Sequence, residues 1–269
     1  MLIDIFQYTF MIKALIAGIV IALSAPLVGH FLVIRKFSLM ADTLSHIALT
    51  GVAIGLLTRT QPMIITLLIT TVSAFLIEQL RSKNKLPGDA ILAMFLPGGL
   101  ALSIVLLSLA GGFNTNIFSY LFGSIVTVKT SELWLTGILG ITTILMTILF
   151  HQKLLFTALD EESAKISGVK TGPINMVLMF LTAITISLSI RIVGALLIGA
   201  LMIIPVITAM QISKSFFQSL LISVFVALLA VISGLFLAFI YNLPAGGVIV
   251  LISLGEFLFF YLTKRLAKS

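Results

Sequence analysis

Nine long apolar runs set the limits on how this sequence can fold. A helix of about 20 apolar residues spans membrane hydrocarbon, and only helices or closed barrels do so with every backbone polar group satisfied. The runs do not alternate between apolar and polar residues as barrel strands do. The sequence therefore predicts an all-α, polytopic helical membrane protein with eight or nine spans. The runs fall near residues 10–34, 38–57, 60–80, 89–109, 131–150, 173–192, 194–210, 217–240 and 246–263.

The composition excludes a soluble protein. Of the 269 residues, 60% are hydrophobic and 9% are charged, whereas soluble domains carry about 25% charged residues. The sequence has no cysteine, which excludes disulfides and thiolate metal sites. We predict that residues 1–269 form a single transmembrane domain, in which the shorter and more polar stretch 113–128 is a re-entrant or interfacial helix.

The distribution of cations predicts the orientation. Cytoplasmic loops of membrane proteins are enriched in Lys and Arg, so we assign the net charge of +7 to the cytoplasmic side rather than to nucleic-acid binding. Nine spans with the N-terminus outside and the C-terminus in the cytoplasm satisfy this rule, and eight remain open if one run is not a full crossing. The cations placed outside are then Arg59, Lys129 and Arg191, and those placed inside are Arg35, Lys36, Arg81, Lys83, Lys85, Lys153, Lys165, Lys170, Lys214, Lys264, Arg265 and Lys268.

An acid and an imidazole lie four residues apart in the second run. At this spacing Asp42 and His46 share one face of the predicted helix. An ionisable side chain inside a span indicates a functional site, and carboxylate with imidazole is half of a divalent-metal site. Because zinc takes about four ligands, a symmetric dimer with this helix on its axis would complete the site. The alternatives are that Asp42 caps the helix or pairs with Arg35 or Lys36, and that His46 is a core histidine.

Small residues and prolines mark two further runs. In 194–210, Gly194, Ala195 and Gly199 would lie together on a helix that Pro205 kinks. This pattern indicates either ordinary helix packing or a pore-lining helix that moves during gating. The tripeptide Pro97–Gly99 predicts either a broken helix near a permeation path or a tolerated kink.

Other ionisable residues have simpler interpretations. We expect His30 to be structural and Glu256 to lie near the interface, paired with a neighbouring cation such as Lys264, and we place His151 in a loop. The longest predicted cytoplasmic segment is 151–172, with a short amphipathic helix in its middle. A helix of this length is marginal alone in water, so we expect it to dock against another surface. The sequence has no G-x-x-x-x-G-K-[ST] phosphate loop and no H-E-x-x-H motif.

Taken together, these blocks resemble the membrane permeases of bacterial ABC importers for zinc and manganese. The resemblance covers nearly the whole chain and rests on residues 31–36, 41–46 and 51–53, on the D-E-x-x-A-x-x-x-G pattern from Asp160, and on residues 193–205. It implies that Asp42 and His46 line the translocation path as metal ligands. It also implies a coupling helix that binds an ATPase, with the residues Asp160, Glu161, Ala164 and Gly168.

The resemblance further implies a set of partners. Two copies of the chain would form the pore in the bacterial cell (inner) membrane, and cytoplasmic ABC ATPases would bind them. An extracytoplasmic metal-binding protein would deliver the ion to this pore. The form Asp-Thr-Leu-Ser-His at Asp42 to His46 resembles the zinc members more than the manganese members. The chain would then be a transport subunit and not an enzyme, with no permanently bound cofactor and Zn²⁺ as its cargo.

Three alternatives remain open at this point. The cargo can instead be manganese or iron, because imidazole with carboxylate suits these metals as well as zinc. An ATP-independent cation channel or carrier would show more acidic residues inside its spans. An intramembrane metalloprotease would need a third metal ligand and a general base in the same chain.

Overall fold

The computed structural model describes residues 7–84, 87–109, 115–124, 126 and 129–266. Within these residues the chain forms eleven α-helices. They are α1 (Thr9–Ile34), α2 (Leu39–Leu57), α3 (Pro62–Asn84), α4 (Gly88–Leu109), α5 (Thr115–Phe122), α6 (Thr130–Leu159), α7 (Glu161–Ile166), α8 (Thr171–Ser189), α9 (Ile198–Ile212), α10 (Phe216–Tyr241) and α11 (Ala245–Leu266).

Eight of these helices are long and apolar enough to cross a membrane: α1, α2, α3, α4, α6, α8, α10 and α11. This confirms the prediction of a polytopic, all-α membrane protein. The remaining run, 194–210, gives the shorter α9, which has 15 residues. The polar stretch 113–128 contains the eight-residue helix α5, and its residues 113, 114, 125, 127 and 128 lie outside the described part of the chain.

Two predicted boundaries are wrong. The run 194–210 was expected to be helical from its start, but residues 190–197 form turns and α9 begins only at Ile198. Gly194 has a left-handed φ of 88°, and Ala195 donates its backbone N–H to Tyr120 O at 2.8 Å, so the carbonyl groups of α5 take the place of a helical partner. The segment 151–172 was expected to follow the spanning helix, with His151 in a loop, but α6 continues to Leu159 and includes His151.

The helix bundle has two opposite ends, which differ in the contacts that hold the helix ends together. Ion pairs bring together Arg35 after α1, Arg81 near the end of α3, and Glu161 at the start of α7, with N···O distances of 3.3 and 3.1 Å to Glu161. We call this the α7 end, and the charge distribution predicts that it is cytoplasmic. Opposite it, the turn 190–197 pairs with α5, and we call this the α5 end.

The helix that carries Asp42 and His46 lies inside the bundle. In α2, 72% of the most apolar stretch is buried, against 22% in α6. Glycines allow this close packing: a Cβ at Gly51 would lie 2.5 Å from Thr66 Cα of α3, and one at Gly99 would lie 2.6 Å from Ile47 of α2. Thr50 also donates a hydrogen bond to Gly99 O at 3.1 Å. The helix α4 runs unbroken through Pro97–Gly99, so the alternative of a broken helix at this tripeptide is wrong and the proline is tolerated within the helix.

A paired glycine substitution tests the close packing of α1 on α9. A Cβ at Gly29 would lie 2.0 Å from Met202 O, whereas one at Gly137 would meet nothing within 4 Å. We expect Gly29→Ala to destabilise the protein by about 1–3 kcal/mol because two backbones must separate, and Gly137→Ala to be neutral or slightly stabilising. Thermal unfolding in detergent measures both, and equal midpoints would contradict the packing.

Candidate functional site

Asp42 and His46 face each other across one turn of α2. The distance from Asp42 Oδ1 to His46 Nε2 is 3.9 Å, which is too long for a hydrogen bond. Two metal–ligand bonds of about 2.0–2.2 Å reach at most about 4.4 Å, so one ion can contact both atoms. The pair therefore has the separation of two ligands of one metal, without a direct hydrogen bond between them.

The burial of the pair suits a site that opens on one side. The His46 side chain is 12% exposed and the Asp42 side chain is 44% exposed. His46 Nδ1 is buried and has no hydrogen-bond partner, which is costly for a polar atom in a membrane protein. The neighbouring Ser45 is not free in the same way, because its hydroxyl donates to Ala41 O at 2.6 Å. The pair is therefore open at Asp42, whereas His46 Nδ1 is enclosed within the bundle.

In the structure, Asp42 neither caps α2 nor pairs with Arg35. Asp42 lies in the first turn of α2 and the helix has no side-chain cap. Arg35 pairs with Glu78 and Glu161 instead of Asp42. Among the described residues, no group of three or more His, Asp or Glu side chains can hold a metal ion, so no third candidate ligand joins Asp42 and His46 in the described part of the chain.

The start of α9 lies against this site. A Cβ at Gly199 would come within 3.4 Å of both the Cα and N of Asp42, so a larger side chain there would press on the backbone of α2. Gly194 and Ala195 precede α9 in the turn 190–197, and the predicted single helical face of Gly194, Ala195 and Gly199 is therefore wrong. Pro205 is buried inside α9.

The predicted coupling segment forms the six-residue helix α7. Asp160 caps it by accepting hydrogen bonds from the backbone N–H of Glu162 and Ser163, both at 3.0 Å. Ala164 is fully buried, and Gly168 follows the helix with a left-handed φ of 85°. Ile166 on its outer side is 88% exposed. This helix is anchored on one side and presents an apolar residue on the other.

Asp160 and Glu161 are ionised at neutral pH, and in this form their contacts hold α7 in place. Hydrogen bonds from Ser163 and Glu162 hold the pKa of Asp160 below its usual value. Burial acts to raise the pKa of Glu161, but Arg81 and Arg35 hold it below its usual value. Lowered pKa values mean that the stabilising contacts are present above the ordinary carboxylate pKa and are lost only as the pH falls through the lowered one.

Sequence reasoning missed two groups of charged residues. At the α7 end, Glu78 and Arg81 of α3 join Arg35 and Glu161. Glu78 lies inside the third apolar run, and this position is itself a signal of function. At the α5 end, Glu132 of α6 pairs with Arg191 at 3.0 Å.

His30 and Glu256 have different surroundings. His30 is buried, and its ring nitrogens lie 2.9 Å from Ser219 Oγ and 3.1 Å from Pro26 O, which fits a structural role. The expected pairing of Glu256 with Lys264 is wrong: Glu256 Oε2 is buried without a partner, and Lys264 donates to Gln211 O.

Comparison with known proteins shows a family match and several related membrane proteins. The model of the ABC 3 transport family matches residues 7–264. The chain is 34% identical over 248 residues to the high-affinity zinc uptake system membrane protein ZnuB of Haemophilus influenzae, covering 92% of this chain and 95% of the relative. It is 31% identical over 264 residues to the manganese import system permease protein ScaB of Streptococcus parasanguinis, covering 98% and 94%.

A solved structure has the same fold. The structure described as PsaBC from Streptococcus pneumoniae in complex with Fab matches with a TM-score of 0.87 and 29% identity, over 97% of this chain and 94% of that one. The eight long apolar helices of the described residues make this a multi-span membrane protein, and the matches to transport-system membrane proteins make it a permease. The chain belongs to the ABC 3 transport family, and this confirms the resemblance to metal-importer permeases.

Proposed function

We propose that the chain is the membrane subunit of an ATP-driven importer of a divalent metal, with zinc as the cargo. The observation that carries the proposal is the Asp42–His46 pair, 3.9 Å apart in a buried membrane helix. Imidazole and carboxylate without thiolate suit zinc, manganese and iron. Relatives named for zinc and for manganese are similarly close to this chain. The preference for zinc therefore rests on the four ligands, two Asp and two His, that two copies of the chain would supply in a tetrahedral arrangement.

The incomplete ligand set supports a pair of identical chains around the pore. Asp42 is 44% exposed, and a carboxylate inside a span faces a protein interior or a cavity rather than lipid. A two-fold axis beside α2 would bring a second Asp42 and His46 to the same ion. We infer that the exposed side of this pair is the side that meets the second copy.

The α5 end favours delivery of the metal by another protein. A cavity of about 450 Å³ there is lined by Arg59, Lys129 and Arg191. Glu132 balances the charge of Arg191, but Arg59 and Lys129 keep the cavity positive. This charge repels a free divalent ion and favours a docked protein with an acidic surface. An extracytoplasmic binding protein that releases its metal only after docking would satisfy both conditions.

The α7 end is where an ATPase would act. Ile166 of α7 is 88% exposed, and an exposed apolar residue on a short anchored helix suits insertion into a groove of a partner. In the proposed cycle, Asp42 and His46 hold the ion weakly enough to release it. ATP binding and hydrolysis in the partner then shift the pore between outward and inward access.

Metal uptake by the chain reconstituted with its ATPase and binding protein tests the proposal. We expect ATP-dependent zinc uptake in the wild type, little manganese uptake, and a loss of roughly tenfold or more in zinc uptake for His46→Ala, because even outer-shell partners of metal ligands contribute 10–100-fold. Unchanged zinc uptake in the variant would move the metal path elsewhere. Robust manganese uptake that His46→Ala abolishes would overturn zinc as the cargo and keep the path.

A further inference from the structure

Four charged side chains from three parts of the chain meet at the α7 end. Arg35 Nη2 lies 3.4 Å from Glu78 Oε1 and 3.3 Å from Glu161 Oε2. Arg81 Nη2 lies 2.7 Å from the same Glu78 oxygen and 3.1 Å from the same Glu161 oxygen. Each arginine therefore bridges both carboxylates through one nitrogen, and positive and negative groups alternate. We call this arrangement of Arg35, Glu78, Arg81 and Glu161 the ionic clamp.

The four charges of the clamp balance one another, and the clamp is largely buried. The exposed Lys165 also lies 3.5 Å from the other carboxylate oxygen of Glu161. The two cations and two anions of the clamp are least exposed at Glu78, whose side chain is 2% exposed, and at Arg35, at 9%. Ion pairs in such surroundings are weakly screened, and the loss of one member leaves an uncompensated buried charge. Arg81 binds Glu78 through two nitrogens, with Nε at 2.9 Å, which fixes its orientation as well as its charge.

One side of the clamp leads directly to Asp42 and His46, the two candidate metal ligands, which we call the metal pair. Arg35 follows the last residue of α1 and stands seven positions before Asp42. The connection between α1 and α2 is short and held by backbone hydrogen bonds, including Phe37 N–H to Leu32 O at 2.8 Å. Lys36 within it has a left-handed φ of 58°, a conformation with little freedom for a residue other than glycine. A shift of Arg35 is therefore transmitted to the start of α2.

The other side of the clamp reaches α2 through α3. Glu78 and Arg81 lie near the end of α3, and the opposite end of the same helix is packed backbone to backbone on the second half of α2 at Gly51 and Gly55, so a movement of α3 as a whole reaches α2. Glu161, the first residue of α7, also accepts a hydrogen bond from Asn175 of α8 at 3.0 Å. The clamp thus connects α7 to the helix of Asp42 and His46 by two routes, and none of its four side chains is needed on the exposed side of α7.

We propose that the ionic clamp couples α7 to the metal pair, with Glu78 as its central positioning residue. The inference rests on the proposed function, in which α7 binds an ATPase. When the ATPase displaces α7, Glu161 carries Arg35 and Arg81 with it, and these move the start of α2 and the adjacent end of α3. Without Glu78 the arginines lose their buried anchor, so α7 still binds the ATPase but its movement no longer reaches Asp42 and His46.

Glu78→Gln tests the clamp, with Asp89→Asn as the matched control. Asp89 is an exposed carboxylate in the first turn of α4 and belongs neither to α7 nor to the clamp. In vesicles containing the complete transporter, zinc uptake and ATP hydrolysis are measured together. We expect Glu78→Gln to retain the ATPase and its hydrolysis while the zinc transported per ATP falls about tenfold, a typical size for coupling between two sites. Asp89→Asn should leave that ratio unchanged.

Two further variants test the clamp independently of the stability of Glu78→Gln. Glu78→Asp keeps the charge, so it should recover part of the zinc-to-ATP ratio. Glu161→Gln removes a less buried member of the clamp, and it should lower the ratio even if Glu78→Gln is too unstable to purify. A parallel fall of uptake and hydrolysis in these variants, with the ratio unchanged, would overturn the clamp while the proposed function stands. A wild type without ATP-dependent uptake would overturn both.

Discussion

Replacement of Asp42 by alanine should abolish metal uptake. The carboxylate is one of two candidate ligands that the structure brings together on α2, and its partner His46 Nε2 lies 3.9 Å away. Removing a ligand costs at least as much as removing a group that only orients one, which is about 10–100-fold. In a two-fold symmetric pore each substitution would delete two of four ligands, so we expect a loss of uptake of about 100-fold or more. ATP-dependent uptake of zinc by reconstituted vesicles measures it.

Two control variants separate loss of a ligand from loss of the helix. Asp42→Asn keeps the shape of the side chain and removes its charge, so it should be nearly as inactive as Asp42→Ala. Ser45→Ala changes the adjacent buried hydroxyl, which is already bonded to Ala41 O, and should retain most uptake. Because Asp42 is partly exposed and contributes no cap to α2, both Asp42 variants should still purify with the ATPase. Normal transport by either one would remove Asp42 from the metal path.

The metal pair was visible in the sequence because helical periodicity alone joins its members. Asp42 and His46 are four residues apart in an apolar run, and that spacing fixes a common face once the run is a helix. The ionic clamp could not be found in this way. Its members are separated by more than 40 positions, except for Glu78 and Arg81, and only the packing of three helix ends brings them to one place. Glu78 was nevertheless open to discovery as a carboxylate inside an apolar run.

The fold was predictable wherever hydropathy alone decides the structure. Each of the eight long helices corresponds to an apolar run, because backbone groups in lipid must be satisfied within the helix. The start of α9 differs because another part of the protein supplies the hydrogen bonds: the N–H of Ala195 and that of Leu196 reach carbonyl groups of α5. Hydropathy contains no information on such a partner. It therefore predicts a helix over the whole apolar run, although the first residues of the run are not helical.

The ion pair at the α5 end should be one of the main determinants of stability. Glu132 accepts hydrogen bonds from Arg191 Nε at 3.0 Å and from the backbone N–H of Lys129 at 3.1 Å. Arg191 also lies over the ring of Tyr120, 4.3 Å from its centroid. The pair thereby holds α5, α6 and the turn 190–197 together. Glu132→Gln would leave Arg191 buried without its counter-charge, and we expect it to destabilise the protein by about 3–5 kcal/mol, measured by thermal unfolding in detergent.

A double-mutant cycle distinguishes the pair from the shape of the two side chains. If the cost of Glu132→Gln comes from the unpaired charge of Arg191, then Arg191→Gln added to it should restore part of the stability. Simple additivity of the two substitutions would show that the charges do not act as a pair. The turn that Arg191 holds leads within eight residues to Gly199, which packs on Asp42. We therefore expect the single variant to lower zinc uptake even at temperatures where it remains folded, and the double variant to recover it in part.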